Sequence, residues 1–232
     1  MKKKTIGILG GMGPLATADL FEKIIAHTRA ARDQEHLRVL IDSNTRIPDR
    51  TAAILQGGED PAPELRSSAR GLERQGAELL IMPCNTAHYF YDAVQSSVSI
   101  PVLHMIRIMV QALRRKGIQQ AGLLATDGTI QTGIYQKCFE NSGISLLTPD
   151  PAGQKALMDM IYQGVKAGRR TYDSGPVRQT MEDLLHQGAE TLILGCTELP
   201  LAVRLYHLDF PTSDPTLELA LEAIRQAGGE TV

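Results

Sequence analysis

Short apolar runs alternate with helix-periodic stretches along the chain. The first run, Ile6–Leu9, ends in Gly10-Gly11-Met12-Gly13-Pro14, and the following LATADLFEKIIAHTRAARDQ spaces its apolar residues as one face of a helix. Glycine where the backbone turns and proline near the first helical position give the order strand, turn, helix. Val39–Ile41 reads as a second strand, leaving Asp42, Ser43 and Asn44 at its end. A loop over 45–63 holds one helical turn at Ala52–Leu55, Glu64–Gln75 reads as helix with Gly76 as its stop, and Glu78–Met82 as a buried strand. The pattern then recurs: strand Val102–Leu103, helix Ile106–Arg115, strand Ala121–Leu124, helix Gln131–Glu140 and strand Ile144–Leu147. Helices around 153–167 and 177–187, strand Thr191–Leu194 and helix Thr216–Gln226 complete it. Strands alternating with helices at this spacing predict parallel α/β sheets.

The two halves resemble each other. LERQGAELLIMPC (72–84) and LLHQGAETLILGC (184–196) lie 112 residues apart and share eight of thirteen positions. GILGGMG (7–13) and GLLATDG (122–128) match more loosely at an offset of 115. Helix ends favour Gly and strands favour Ile and Leu, but neither preference supplies a shared Gly-Ala-Glu or a shared Cys. A duplication therefore predicts two similar three-layer α/β domains: residues 1–100 with 212–232, carrying Cys84, and residues 101–211, carrying Cys196. Facing each other, the two would bring both strand ends and both cysteines to one interdomain cleft.

Composition narrows the class. Of 232 residues 43% are hydrophobic and 22% charged, which suits a globular core and excludes a coiled coil, a collagen or a disordered chain. Twenty-four basic against 26 acidic residues leave a net charge of −2, too balanced for a general nucleic-acid binder. Lys2–Lys4 place three charges on a terminus and make no binding surface. The opening MKKKTIGILGG imitates a signal peptide, but its apolar run is too short and is broken by Gly10 and Gly11. No run of 18 apolar residues is present to span a membrane. Three cysteines form no closed disulfide framework, so reduced thiols, or thiols with a chemical task, are expected in a cytoplasmic chain.

In an open α/β sheet ligands bind beyond the carboxyl ends of the strands, where Cys84 and Cys196 both stand. Each is followed by small polar or charged residues, Asn85-Thr86 and Thr197-Glu198, whereas Cys138 lies in a helical run and reads as packing. Two opposed thiols can invert a stereocentre, one taking a proton from carbon while the other returns one to the opposite face. Other readings each lack a part. A Cys–His hydrolase built on Cys84 and His88 would leave Cys196 idle, a phosphatase-type loop would need Arg where Phe90 stands, and a metal site from Cys84, His88 and Cys196 has no short Cys-x-x-Cys spacing. Gly11-Met12-Gly13-Pro14-Leu15-Ala16 fits a dinucleotide-binding G-x-G-x-x-A, with Asp42 as the ribose carboxylate. That carboxylate lies 29 residues beyond Gly13 rather than about 20, however, and the same turn can equally face a substrate carboxylate. Arg50 could grip a carboxylate in bidentate fashion with Asp49 orienting it, beside Arg46. Asn44, Thr86, Thr126 and Thr197 are short hydrogen-bonding residues at strand ends. Lys166 reads equally well as a charged helix end, and His88 as a capping or core histidine.

GILGGMGPLAT (7–17), SNTRIPDRT (43–51), MPCNTAH (82–88), LLATDGTIQTGIY (123–135) and ILGCTELP (193–200) together resemble the aspartate/glutamate racemase family, in its cofactor-independent, aspartate racemase-like branch. The resemblance covers nearly the whole chain. It implies two domains related by pseudo-twofold symmetry, an active site at their interface, usually a homodimer, and no cofactor or metal. By the same resemblance Cys84 and Cys196 are the paired acid/base residues, and Arg50 and Lys166 hold the carboxylates of a small dicarboxylate amino acid, with Asp49 beside Arg50. Met12, Asn44, Thr86, Thr126 and Thr197 line the pocket, supported by Asn85 and Glu198. Two positions depart from family patterns: Glu218 stands where many relatives carry His, and Glu198 where glutamate racemases proper place His, which favours the aspartate-type branch. The expected activity is interconversion of L- and D-aspartate, with glutamate as a further substrate. The alternatives are a related isomerase or racemase acting on another small carboxylate or a hydantoin, and a non-catalytic dicarboxylate-binding protein.

Overall fold

The computed structural model describes residues 3–232, so Met1 and Lys2 of the basic start lie outside it. The chain forms β1 (Ile6–Gly10), α1 (Pro14–His27), β2 (Val39–Ser43), α2 (Arg50–Leu55), α3 (Ala62–Arg74), β3 (Leu79–Ile81), α4 (Tyr91–Gln95) and α5 (Met105–Arg115). There follow β4 (Gln120–Leu124), α6 (Asp127–Gln131), α7 (Ile134–Phe139), β5 (Ser145–Leu147), α8 (Pro151–Asp159), α9 (Gly175–His186), β6 (Thr191–Leu194), α10 (Leu199–Leu205), β7 (Thr212–Ser213) and α11 (Pro215–Gln226). Two parallel sheets result, ordered β2-β1-β3 and β5-β4-β6-β7. Helices cover both faces of each, as a parallel sheet requires.

The repeated sequence has a repeated physical cause. Gly7 on β1 pairs with Leu80, and Gly122 on β4 with Leu192. A Cβ on Gly7 would lie 2.6 Å from Leu80 Cδ2 and 3.4 Å from Leu72 Cβ; on Gly122 it would lie 2.7 Å from Leu192 Cδ2 and 3.4 Å from Leu184 Cβ. Each glycine thus lets its helix, α3 or α9, settle directly on the strand. The shared Glu is explained as well: Glu78 Oε2 accepts from Thr5 N at 2.9 Å and Glu190 Oε1 from Gln120 N at 3.0 Å, each anchoring the neighbouring strand's start. Gly76 and Gly188 end the helices with positive φ of 97° and 102°.

The buried side chains fall on alternate faces of the strands. Ile6, Ile8, Leu79 and Ile81 pack against α1, α5 and α11, whereas Leu9, Leu80 and Met82 meet α3. In the second unit Leu124, Leu192 and Leu194 pack against α8, α9 and α10, and Leu123 and Ile193 against α5 and α7. Helix α5 is the shared wall: Met105 and Ile108 face the first core, Ile106, Met109 and Leu113 the second.

Several elements differ from the sequence expectation. Val102–Leu103 is reduced to a single parallel bridge to Leu80, because His104 turns the chain into α5 by accepting from Arg107 N. The helix expected over 131–140 is two short helices separated at Gly133, whose φ is +64°. The stretch 153–167 continues α8 into a π-helical turn, Met160–Val165. Helix α10 was hidden behind Pro200, which sits in its first turn where a missing N–H costs nothing. No helix among the described residues is long and apolar enough to cross a membrane.

Candidate active site

Both cysteines lie where their strands end, and they line the same cavity. Cys84 follows β3, Cys196 follows β6, and they are 6% and 7% exposed. The cavity is narrow, about 10 Å³, and is lined from the first unit by Met12, Asp49, Arg50, Thr51 and Cys84-Asn85-Thr86. The second unit adds Thr126, Tyr162, Lys166 and Cys196-Thr197-Glu198.

The loop after β3 is fixed at three points. His88 Nδ1 bonds the Cys84 carbonyl at 2.8 Å, and its Nε2 accepts from Met105 N at 3.1 Å. Both ring nitrogens are therefore occupied, and burial drives the imidazole down to about 4, so His88 is neutral and supplies neither a base nor a metal ligand. Tyr135 Oη donates to Asn85 Oδ1 at 2.7 Å. Thr86 shares hydrogen bonds with Thr126 at 3.0 Å and Thr129 at 2.9 Å, tying the two units together through buried hydroxyls.

Arg50 is buried at the start of α2. Its Nη1 donates to the carbonyls of Pro48 at 2.9 Å and Ile47 at 3.3 Å, its Nη2 to that of Met12 at 3.3 Å, and the guanidinium faces the Cys84 thiol. Burial opposes its charge, but Cys84 and Asp49 outweigh that and hold it protonated. Arg50 Nε and Asn85 Nδ2 are buried donors without a protein partner. Buried donors of this kind are rare and costly unless a ligand meets them.

Across the cavity Cys196 Sγ donates to Glu198 Oε2 at 3.0 Å. Burial, and then the neighbouring Glu198 charge, push this thiol well above its ordinary range. Lys166 Nζ lies 4.0 Å from Glu198 Oε1 and 4.6 Å from the centre of the Tyr162 ring. Burial works against the Lys166 charge, but Glu198 and the nearby thiols outweigh it and raise its pKa.

Two expected placements are corrected. Asn44 does not line this cavity: its Nδ2 donates to Glu64 Oε2 at 3.1 Å and Ser68 Oγ at 3.0 Å, and its Oδ1 accepts from Arg46 N, so the side chain pins the loop to α3. Asp49 lines the cavity but does not orient Arg50 through a hydrogen bond; its Oδ1 caps α2 by accepting from Ala52 N at 2.8 Å. Carbonyl groups hold Arg50 instead. Glu218 lies away from the cavity, paired with Lys116 at 3.1 Å. Gly13 of the glycine turn faces Glu198, whose Oε1 would be 3.3 Å from a Cβ there, so a protein carboxylate stands where a phosphate-binding turn needs room. Tyr162, Thr51 and Thr129 were not singled out from sequence; Tyr162 rides on the π-helical turn, which periodicity does not reveal. No group of three or more His, Cys, Asp or Glu suited to a metal ion occurs among the described residues.

The sequence matches the Asp/Glu/Hydantoin racemase family over residues 9–223. It is 27% identical over 224 residues to the broad specificity amino-acid racemase RacX of Bacillus subtilis, covering 94% of this chain and 96% of the relative. Among solved structures, aspartate racemase of Picrophilus torridus superimposes with a TM-score of 0.84 at 31% identity, covering 99% of this chain and 96% of that one. An aspartate racemase homologue from Pyrococcus horikoshii does so with 0.77 at 28%, covering 97% and 99%.

Proposed function

The chain belongs to the Asp/Glu/Hydantoin racemase family and is an amino-acid racemase of it; we propose that it interconverts L- and D-aspartate, and glutamate more weakly, by proton transfer at the α-carbon between Cys84 and Cys196. The observation that carries this reading is the meeting of both duplicated thiols in one small cavity that also holds two cations and two unpartnered buried donors. Arg50 Nε and Asn85 Nδ2 offer one carboxylate its hydrogen bonds, and Lys166 offers the second a charge. The α-carbon then lies between the sulfurs. One thiolate removes the α-proton, the opposite thiol delivers its own to the other face, and the S–H bond formed on one side replaces the one broken on the other. The α-proton of an amino acid is very weakly acidic, so fixed donors around the α-carboxylate must stabilise the charge that develops there. Thr86, Thr126 and Thr197 line the cavity, which supports this role once substrate exchanges for their present hydroxyl and carboxylate partners.

The name of the solved Picrophilus relative favours aspartate, whereas that of the Bacillus relative favours a wider range. One methylene gives a pocket only about 1–3 kcal/mol to discriminate with. We read the division into 1–100 with 212–232 and 101–211 as two domains of a cytoplasmic homodimer, with β7 at the crossing, since Thr212–Ser213 still pairs with β6 before α11 rejoins the first unit. The test is α-proton exchange in D₂O with each enantiomer of aspartate and glutamate, followed by chiral analysis. Exchange with appearance of the mirror form is expected, and Cys84→Ser and Cys196→Ser should each lower the rate at least about a thousandfold. A single-thiol variant with near-normal racemisation in both directions would rule out the two-thiol scheme.

A further inference from the structure

The duplication makes the two halves of the cavity comparable position by position, and the charge that touches one thiol has no counterpart at the other. Cys84 and Cys196 correspond at an offset of 112 residues, as do Asn85 and Thr197. Arg50 and Lys166 stand 116 apart, so each unit contributes a cation. The counterpart of Glu198 is Thr86, a neutral hydroxyl engaged with Thr126 and Thr129. An anion therefore touches one thiol only. Glu198 is 4% exposed, accepts from Cys196 Sγ at 3.0 Å, and lies 3.5 Å from Thr197 Oγ1.

We propose that Glu198 is the proton partner of Cys196: in the resting enzyme the proton sits on Cys196 and is shared with Glu198 Oε2, so that Cys84, beside Arg50, acts as the first base. This rests on the two-thiol reading above. In the reverse direction Cys196 must itself become the base. The Cys196 S–H bond then breaks and an O–H bond forms on Glu198 Oε2, the pair keeping its single negative charge, while the Cys84 thiolate takes up one proton from solvent before substrate enters and so becomes the acid. Without that carboxylate the buried Cys196 would have no neighbouring acceptor for its proton. The groups facing Cys196 are Glu198, Lys166, Tyr162 and Tyr135. Lys166 favours the thiolate, but it is itself engaged by Glu198, which stands nearer the sulfur.

The proposal has a readout that needs no substrate. Free protein is treated with iodoacetamide across a pH series, and the labelling of each cysteine is followed by peptide mass spectrometry. In the wild type Cys84 should label at lower pH than Cys196. Glu198→Gln removes the charge while keeping the shape, and should speed labelling of Cys196 about tenfold for each unit its pKa falls, with Cys84 changed less than about twofold on the same scale. Cys196 labelling first in the wild type, or at an unchanged or slower rate in Glu198→Gln, would overturn the assignment. If the variant does not fold, the wild-type order decides alone. Failure of the racemase reading would show separately, as absence of α-proton exchange with every enantiomer while the labelling order stands.

Discussion

His88 connects the Cys84 loop to the wall shared by both units, and it makes the fold sensitive to acid in a calculable way. Its Nδ1 bonds the Cys84 carbonyl and its Nε2 accepts from Met105 N. A second ring proton would turn that acceptor into a donor facing a donor, at a position buried from solvent. Burial accordingly lowers the pKa from 6.5 to about 4. In the unfolded chain the same imidazole takes up its proton below about 6.5. Between these values the unfolded state binds more protons than the folded one, so stability rises with pH across that window. The contribution is whole above about pH 6.5 and is lost as pH falls towards 4, for a total of about 3 kcal/mol at up to about 1.4 kcal/mol per pH unit. His104, its ring 4.9 Å away, is driven to about 3 by burial and by the neighbouring His88 and Arg107, and acts in the same direction. Equilibrium urea unfolding at intervals between pH 8 and 4.5 measures the slope. His88→Gln can keep one of the two hydrogen bonds but cannot titrate; it should be less stable at pH 8 and lose stability less steeply below 6.5. Parallel curves for the two proteins would refute the reasoning.

Other outcomes follow from the same contacts. Arg50→Ala removes the buried guanidinium and its unpartnered Nε, and should cost aspartate turnover about 1.5–3 kcal/mol, roughly 10- to 150-fold in kcat/KM. Alanine, if turned over at all, should lose less, and equal losses on both substrates would remove Arg50 from the grip on a side-chain carboxylate. Gly7→Ala and Gly122→Ala each force a Cβ to within 2.7 Å or less of a packed leucine methyl. Each should cost about 1–3 kcal/mol of stability, read from urea midpoints, and the two costs should agree because the contacts do.

The sequence carried the alternating pattern, the duplication and the strand-end position of both cysteines, because these depend on local periodicity and on identities at a fixed offset. It could not show what Asn44 and Asp49 do. A polar residue at a strand end has several partners within reach, and only the packing of α3 gives Asn44 to Glu64 and Ser68, as only the start of α2 gives Asp49 Oδ1 to the Ala52 N–H. Tyr162 lay out of reach for another reason. It sits on the π-helical turn, where a 3.6-residue period no longer tells which side chains share a face. The short second-unit helices were obscured by Gly133 and Pro200, residues that usually interrupt helices and here mark where they start.

The strict repetition of the scaffold contrasts with the broken repetition at the chemical centre. Gly7 and Gly122, Glu78 and Glu190, and Gly76 and Gly188 perform the same tasks in both units, so the two strand ends are delivered to the cavity in the same way. That equivalence offers a thiol to each face of the α-carbon; substrate and product are mirror images of equal free energy, so kcat/KM is equal in the two directions. Such equality is imposed by the equilibrium, however, not by the protein, so it does not require the two bases to be alike. Glu198 can stand against Cys196 and Thr86 against Cys84 without violating it. The difference emerges only in how each direction divides between kcat and KM, and in which thiol is charged before substrate arrives. Duplication supplied the geometry, and the second residue after each cysteine is where the two halves became chemically distinct.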